Sequence, residues 1–175
     1  LNPLSTQTLA ELEEAARWFD RHPDLKVVTV GGRGRAFSAG ADLSAFSGRA
    51  DRRDREQGWR TGRALEEMRA VTVARIHGWC VGGGLVVAAA CDLRVAAAST
   101  RFSIPEIDLG IPLAWGGIPR LVREIGPALT KELVMTARVF DAEEARAAGF
   151  LNRVVDDDRL DAEVDELVAQ LAAKP

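Results

Sequence analysis

The sequence predicts an α/β domain, and three observations lead to that class. First, β-branched runs alternate with segments of helical periodicity, which is typical of parallel strands joined by right-handed helical crossovers. Second, residues 71–93 (VTVARIHGWCVGGGLVVAAACDL) join a buried-type strand to a segment that is apolar on every side. Third, 175 residues with 47% hydrophobic and 28% charged side chains suffice for one domain with a sizeable core.

The rest of the chain is organised around residues 71–93. The β-branched run at residues 71–76 predicts a largely buried strand, and residues 85–90 predict a helix that is buried all round. The glycine triplet at residues 82–84 costs backbone entropy, which indicates a role that larger residues could not fill. Two interpretations stay open: a bare helix N-terminus that offers N–H groups to a ligand, or tight packing of the helix start against a neighbour.

The elements before this stretch follow from apolar spacing, caps and breakers. Ser5 or Thr6 is predicted to cap a first helix, which ends before Pro23. The run LKVVTV at residues 25–30 predicts a strand. The segment GGRGRAFSAGADL at residues 31–43 predicts a turn that is unusually free of bulk.

Beyond this turn, helices and strands continue to alternate. Pro119 is tolerated only near a helix start, Gly126-Pro127 separates two helices, and Asp141 with Glu144 matches a capping box. The predicted helices cover residues 60–68, 115–125, 128–136, 141–148 and 160–173, and the extended segments cover residues 92–97, 101–104 and 151–155.

Charge and composition argue against several classes of protein. A net charge of −3, with both signs spread along the chain, gives no reason to expect a nucleic-acid partner. Residues 49–60 (RADRRDREQGWR) form the densest charged patch, interpreted as a solvated mobile loop or as a guide for an anionic ligand. No apolar run reaches membrane-spanning length, and no signal peptide is visible, so no membrane partner is expected.

Cysteine and histidine usage indicates a reducing compartment and no metal. Cys80 and Cys91 lie in apolar contexts and are expected to be core residues rather than a disulfide, which favours a cytoplasmic location. His22 and His77 are too few for a histidine-based metal site. Because the chain opens directly on a helix and closes in the middle of a pattern, we expect it to be part of a longer protein.

The glycine-rich segments suggest nucleotide or hydrolase chemistry, which the spacing does not support. Neither G-x-x-x-x-G-K-[ST] nor G-x-G-x-x-G occurs in the sequence. Ser38 in AFSAG is close to the nucleophile elbow of α/β-hydrolases. However, the only later histidine, His77, precedes most of the candidate acids.

A different set of residues is compatible with catalysis. Two predicted strands end in small-residue turns, at residues 39–42 and 82–84, and each turn can offer an unpaired N–H. Two such donors that converge on one oxygen form an oxyanion hole. Glu106 follows a strand in an apolar setting, which tends to raise a carboxyl pKa and suits proton transfer. By spacing alone, a surface or helix-capping role for Glu106 is favoured.

Taken together, the motifs FSAGADL (residues 37–43), GGG from Gly82, IPEIDLGIP and GGIPRL resemble the enoyl-CoA hydratase/isomerase (crotonase) family. The similarity runs from residue 2 to about residue 155. It implies a spiral of ββα repeats and acyl-CoA thioester substrates, with coenzyme A as part of the substrate and no separate cofactor. It also implies that two backbone N–H groups stabilise a thioester enolate, by motif position those of Ala41 and Gly83.

The resemblance extends to the rest of the site and to the organisation of the chain. Glu106 becomes the catalytic carboxylate, and Ala39, Asp42, Leu43 and Gly82 become substrate-binding residues. Residues 1–155 are then a catalytic core that is incomplete at its N-terminus, and residues 156–175 begin a C-terminal helical region that is truncated here. A homotrimer or hexamer is expected.

One departure from the family pattern bears on the reaction. Hydratases of this family carry two glutamates, and the position three residues after the middle glycine is Val86 here. The resemblance with single-glutamate members therefore favours double-bond isomerisation by Glu106. Asp108 is a further candidate acid. The alternatives are an enoyl-CoA hydratase or an acyl-CoA-binding member that has lost turnover.

Overall fold

The computed structural model describes residues 1–43 and 52–175, and in this part of the chain helices and strands alternate as predicted. The helices are α1 (Thr6–Asp20), α2 (Arg52–Glu66), α3 (Gly83–Ala89), α4 (Gly117–Thr136), α5 (Ala142–Ala147) and α6 (Leu160–Ala172). The strands are β1 (Val27–Gly31), β2 (Val71–Ile76), β3 (Trp79–Val81), β4 (Leu93–Ala97), β5 (Arg101–Ser103), β6 (Phe140–Asp141) and β7 (Arg153–Val155). Single 3-10 turns lie at Pro105–Leu109 and Asp157–Arg159. None of the described helices is both long and apolar enough to cross a membrane.

The strands form two sheets. Strands β1, β2, β4 and β7 are neighbours in that order, and all of their pairings are parallel. The second sheet has the order β3-β5-β6, in which β3 and β5 are parallel and β6 is antiparallel. The chain thus places β2 in the first sheet and β3 in the second, then β4 in the first and β5 in the second. This repeated alternation is the ββα spiral that the resemblance implies.

The core confirms the expectations for the central stretch. All residues of α3 are buried, so the helix contacts protein on every side. Cys80 and Cys91 are buried free thiols, as predicted, and burial raises the pKa of both, that of Cys91 to about 12. A second, smaller apolar cluster joins the parallel sheet to α6 and contains Val73, Val95, Ala97, Leu160, Val164 and Leu167.

Local signals explain where several helices begin and end. The Thr8 N–H donates to Ser5 Oγ (3.1 Å), so Ser5 caps α1 as predicted. The Glu144 N–H donates to Asp141 Oδ1 (2.9 Å), although the Glu144 carboxylate pairs with Arg138 instead of completing the capping box. Gly126 has a non-helical conformation within α4, which confirms the predicted break between two helical segments.

The structure differs from the predicted elements in several places. Helix α2 begins at Arg52 rather than near residue 60, because its first residues (RRDRE) offer no apolar spacing from which a helix could be read. Helix α4 begins at Gly117 rather than at residue 115. The short strands β3 and β6 were not predicted, since two or three residues carry no periodicity. Of the charged patch at residues 49–60, residues 49–51 lie outside the described residues, and the remainder is helical rather than a loop.

Candidate active site

The first two glycines of the triplet each face a side chain from a distant part of the chain. Gly82 has a left-handed φ of 47°, and a Cβ there would lie 2.2 Å from Glu106 Oε1. A Cβ on Gly83 would lie 2.2 Å from Cζ3 of Trp115. Because side chains do not tolerate such contacts, the two glycines are what allows Glu106 and Trp115 to reach the main chain.

The third glycine and the neighbouring turn pack against each other. A Cβ on Gly84 would lie 2.7 Å from the Cβ of Ser38, and one on Gly40 would lie 2.9 Å from the Val81 oxygen and 3.6 Å from the Gly83 nitrogen. The tight-packing interpretation of the triplet is therefore correct. It does not exclude a ligand, because the two turns predicted to offer N–H groups lie side by side.

The main chain at Ala41 leaves its N–H group available. The Leu4 N–H donates to the Gly40 oxygen (2.8 Å), and the Asp42 N–H donates to the Leu4 oxygen (3.1 Å). Because successive peptide groups of an extended chain point to opposite sides, the Ala41 N–H faces away from Leu4. Among the described residues it has no acceptor, and neither has the N–H of Gly83, the first residue of α3. Helix α3 has only seven residues, so its start offers individual N–H groups rather than a long helix dipole.

The other predicted substrate contacts lie on the same segment as Ala41. The Ala39 N–H donates to the Leu1 oxygen (2.8 Å), which fixes the start of the turn. The Leu43 side chain is 52% exposed and is the last residue described before residues 44–51. Ala39, Asp42 and Leu43 thus lie on one segment with Ala41, whereas Gly82 precedes α3 and is in contact with Glu106.

Glu106 is half-buried and only partly hydrogen-bonded. It lies on the 3-10 turn that follows β5, and its Oε2 atom is buried without a hydrogen-bond partner among the described residues. Burial raises the carboxyl pKa above its ordinary value of 4.5, and a hydrogen bond from its own backbone N–H offsets this in part. The surface interpretation of Glu106 is therefore wrong. The expected apolar setting holds for buried Ile104, but Ile107 and Leu109 are about half exposed.

The two other residues that bear on acid–base chemistry differ from Glu106. The Asp108 side chain is exposed. Val86 is only 1% exposed, and its Cγ2 atom lies 2.7 Å from where a Cβ on Gly117 would be. Position 86 is thus an apolar packing position between α3 and the start of α4. It offers no group that could hold a water molecule.

The serine-hydrolase alternative has no geometric support. Ser38 Oγ donates to the Asn2 oxygen (2.9 Å) and accepts from the Gly40 N–H (3.1 Å). His77 Nε2 bonds to the Gly34 oxygen (2.7 Å), and its Nδ1 to Arg75 (3.1 Å). Both groups hold the main chain or a neighbouring side chain, so Ser38 is not paired with a base.

The sequence does not predict that Trp115 lies next to the glycine triplet. It predicts this tryptophan as the first residue of a helix, whereas the residue has a left-handed φ of 58° and is only 8% exposed. A Cβ on Gly58 of α2 would lie 2.2 Å from Trp115 Cδ1. The Gly116-Gly117 pair that follows Trp115 signals a turn, but nothing local indicates that the indole meets Gly58 and Gly83.

Comparison with known proteins matches the whole chain to one family. The model of the enoyl-CoA hydratase/isomerase family matches residues 1–175. A crotonyl-CoA hydratase of Syntrophomonas wolfei is 34% identical over 99% of this chain and 68% of its own length. A short-chain-enoyl-CoA hydratase of Clostridium acetobutylicum is 34% identical over 91% of this chain and 63% of its own length. The chain thus spans about two thirds of the length of these relatives.

Solved structures agree with the family and with the fold. An enoyl-CoA hydratase subunit from Geobacillus kaustophilus superposes with a TM-score of 0.91 at 36% identity, over 99% of this chain and 68% of that one. A candidate enoyl-CoA hydratase from Thermobifida fusca, solved in complex with CoA, has a TM-score of 0.89 at 30% identity, over 99% and 71% of the two chains. The α/β spiral is the crotonase fold, and the chain belongs to the enoyl-CoA hydratase/isomerase family.

Proposed function

We propose that this protein acts on acyl-CoA thioesters, with Glu106 as the single proton-transferring carboxylate and the N–H groups of Ala41 and Gly83 as the oxyanion hole. The observation that carries the proposal is the buried, unpartnered Oε2 of Glu106 in a carboxylate that touches Gly82, next to Gly83. The relative solved with CoA supports the substrate class.

The proposed reaction moves a proton between two carbons of the acyl chain. Glu106 removes a proton from the carbon alpha to the thioester of a 3-enoyl-CoA, and negative charge moves onto the thioester oxygen. The two N–H groups stabilise this oxygen, because donors that are already oriented need no reorganisation as charge develops. Glu106 then returns the proton to the gamma carbon. Each step transfers a proton only, so the proposal calls on no metal and on no cofactor besides the CoA of the substrate.

The preference for isomerisation over hydration rests on position 86. Val86 lies three residues after Gly83, close to one helical turn further along α3. A carboxylate there could help Glu106 to hold and activate a water molecule, whereas valine offers neither a hydrogen bond nor a base. We therefore infer that a proton shuttle by Glu106 alone is faster than the addition of water.

Hydration is the second candidate reaction, because the two relatives compared above are both named hydratases. A member that binds acyl-CoA without turnover is the third. We further propose that Ala39, Asp42, Leu43 and Gly82 contact the substrate and that the complete protein is a cytoplasmic homotrimer or hexamer. Residues 1–155 would then form its catalytic core, and residue 156 would begin its C-terminal helical region.

Acyl-CoA is expected to raise the melting temperature of the full-length protein. A ligand that binds only the native state at a hundred times its Kd stabilises that state by about 2.7 kcal/mol. For a domain of this size that corresponds to roughly 5–10 °C. Thermal denaturation with a short-chain acyl-CoA, with ATP and with NAD provides the measurement. A shift with either nucleotide but none with acyl-CoA would contradict the proposed substrate class.

Val86→Glu is expected to raise the ratio of hydration to isomerisation. The added carboxylate would supply the missing water-binding group, and general acid–base assistance is typically worth about 10²–10⁴-fold. Both reactions are measured on matched 2-enoyl and 3-enoyl substrates.

The matched control is Val86→Gln. Glutamine has the same size and hydrogen-bonding reach as glutamate, but it cannot act as a base. Since position 86 is buried, denaturation curves of both variants are needed to separate chemistry from the cost of burying a polar group. Wild-type hydration that equals or exceeds isomerisation would refute the argument from Val86.

A further inference from the structure

The indole of Trp115 is enclosed by two glycines from different helices. A Cβ on Gly58 of α2 would lie 2.2 Å from Cδ1 and from Cγ, so that glycine lies against the five-membered ring. A Cβ on Gly83 would lie 2.2 Å from Cζ3 and 2.9 Å from Cη2, so that glycine lies against the six-membered ring. The ring therefore lies between Gly58 of α2 and Gly83 at the start of α3.

The backbone of Trp115 is strained and is held in place. Its φ of 58° is uncommon for a residue with a large side chain, and such strain persists only where the surroundings enforce it. Arg120 Nη1 donates to the Trp115 oxygen (2.6 Å), while Arg120 Nη2 pairs with Glu66 at the end of α2 (2.5 Å). The Arg120 side chain is only 7% exposed, so these two interactions of Arg120 are shielded from water. The main chain of Trp115 is therefore held in one conformation by Arg120.

We propose that Trp115 is a specificity-determining residue that closes the acyl end of the site and limits the substrate to short acyl chains. This inference rests on the proposed function, in which the thioester oxygen lies at the Gly83 N–H. The acyl chain begins one bond away from the carbon that carries this oxygen. An indole that covers Gly83 therefore limits the space for the carbons that follow.

Removing the indole opens space that the two facing residues cannot refill, because both are glycines. An apolar cavity of about 150 Å³ is large enough to bind a benzene molecule. The space vacated in Trp115→Ala is of comparable size, since it held an indole, and can accept several methylene groups. Accommodating one methylene group in an apolar pocket changes kcat/KM by roughly 10–200-fold.

The test compares straight-chain butenoyl-, hexenoyl-, octenoyl- and decenoyl-CoA on wild type, Trp115→Ala and Trp115→Phe. We expect the ratio of kcat/KM for decenoyl-CoA to that for butenoyl-CoA to rise at least about tenfold in Trp115→Ala. Trp115→Phe should give a smaller increase, and it carries the test if the alanine variant does not fold. Leu167→Ala, in the second apolar cluster, is the control for lost stability and should leave the ratio unchanged.

A loss of activity that is equal for all four substrates in both Trp115 variants would overturn the inference and make Trp115 a packing residue. Dissociation constants for the same four thioesters are measured in parallel. If wild type binds them without turnover, the ratio of dissociation constants decides the role of Trp115 and only the proposed reaction fails. If wild type binds none of them, the inference fails together with the proposed function.

Discussion

Glu106→Gln is expected to lower the rate of double-bond isomerisation by about 10²–10⁴-fold, because the amide can neither accept nor return the proton. The substitution keeps the size of the side chain, so the contact with Gly82 is retained. Steady-state kinetics on a 3-enoyl-CoA provide the measurement. The comparison variant is Asp108→Asn, which neutralises an exposed carboxylate on the same turn and should have little effect. Equal losses in the two variants would show that Glu106 is not the single proton-transferring carboxylate.

The raised pKa of Glu106 gives this prediction a pH dependence. The proposed base must be ionised, so kcat/KM should fall as the pH is lowered through the raised pKa. The acid limb of the wild-type profile should therefore lie above the ordinary glutamate value of 4.5. An acid limb at or below that value would show that the group that titrates in catalysis is not a buried carboxyl.

As the pH rises through the pKa of Glu106, the stability of the protein should fall while its activity rises. Burial raises the pKa of Glu106, so the folded protein keeps this proton at pH values where the unfolded chain has lost it. This residue therefore costs stability as the pH rises from 4.5 through its folded-state pKa. A glutamine side chain at this position does not ionise and has no such cost. The free energy of unfolding of Glu106→Gln, relative to wild type, should therefore be higher at about pH 7 than at about pH 4. Denaturant unfolding at both pH values measures the difference, and a lower relative value at the higher pH would indicate a structural role for the carboxylate.

Gly83→Val should reduce turnover by at least about 10²–10³-fold, the usual effect of losing one oxyanion-hole donor. The new side chain would collide with the Trp115 indole and displace the main chain at the proposed donor. We also expect a loss of stability of about 1–3 kcal/mol, the typical result of overpacking a core. Turnover and denaturant unfolding must be measured on the same preparations.

A comparison with Gly84 distinguishes the loss of the oxyanion-hole donor from the loss of stability. Gly83→Ala and Gly84→Ala both add one methyl group into a close contact, the first against Trp115 and the second against Ser38. Only Gly83 is proposed to donate to the substrate. Gly83→Ala should therefore lose far more turnover than Gly84→Ala at a similar loss of stability. If turnover in both variants simply follows stability, Gly83 is a packing residue and the oxyanion hole lies elsewhere.

Much of the fold could be predicted because its signals are local. The β-branched run of β2, the all-apolar α3 and the break at Gly126 each depend on residues that are adjacent in sequence. The start of α2 could not be predicted, because its first turn is polar throughout. The strand β3 was missed because three residues acquire their conformation only by pairing with β5.

The features of the site also separate into those that the sequence predicts and those that depend on the tertiary structure. The sequence alone determined the α/β alternation and the two small-residue turns. Its resemblance to the family, rather than the spacing of its residues, made Glu106 the candidate proton acceptor. Only the tertiary structure decided what faces each glycine of the triplet: the carboxylate of Glu106, the indole of Trp115 and the side chain of Ser38. These contacts join segments that are far apart along the chain, and their geometry depends on how the two sheets and α2 pack together. Spacing within a single segment does not indicate such packing, so the position of Trp115 between Gly58 and Gly83 became visible only in the folded protein.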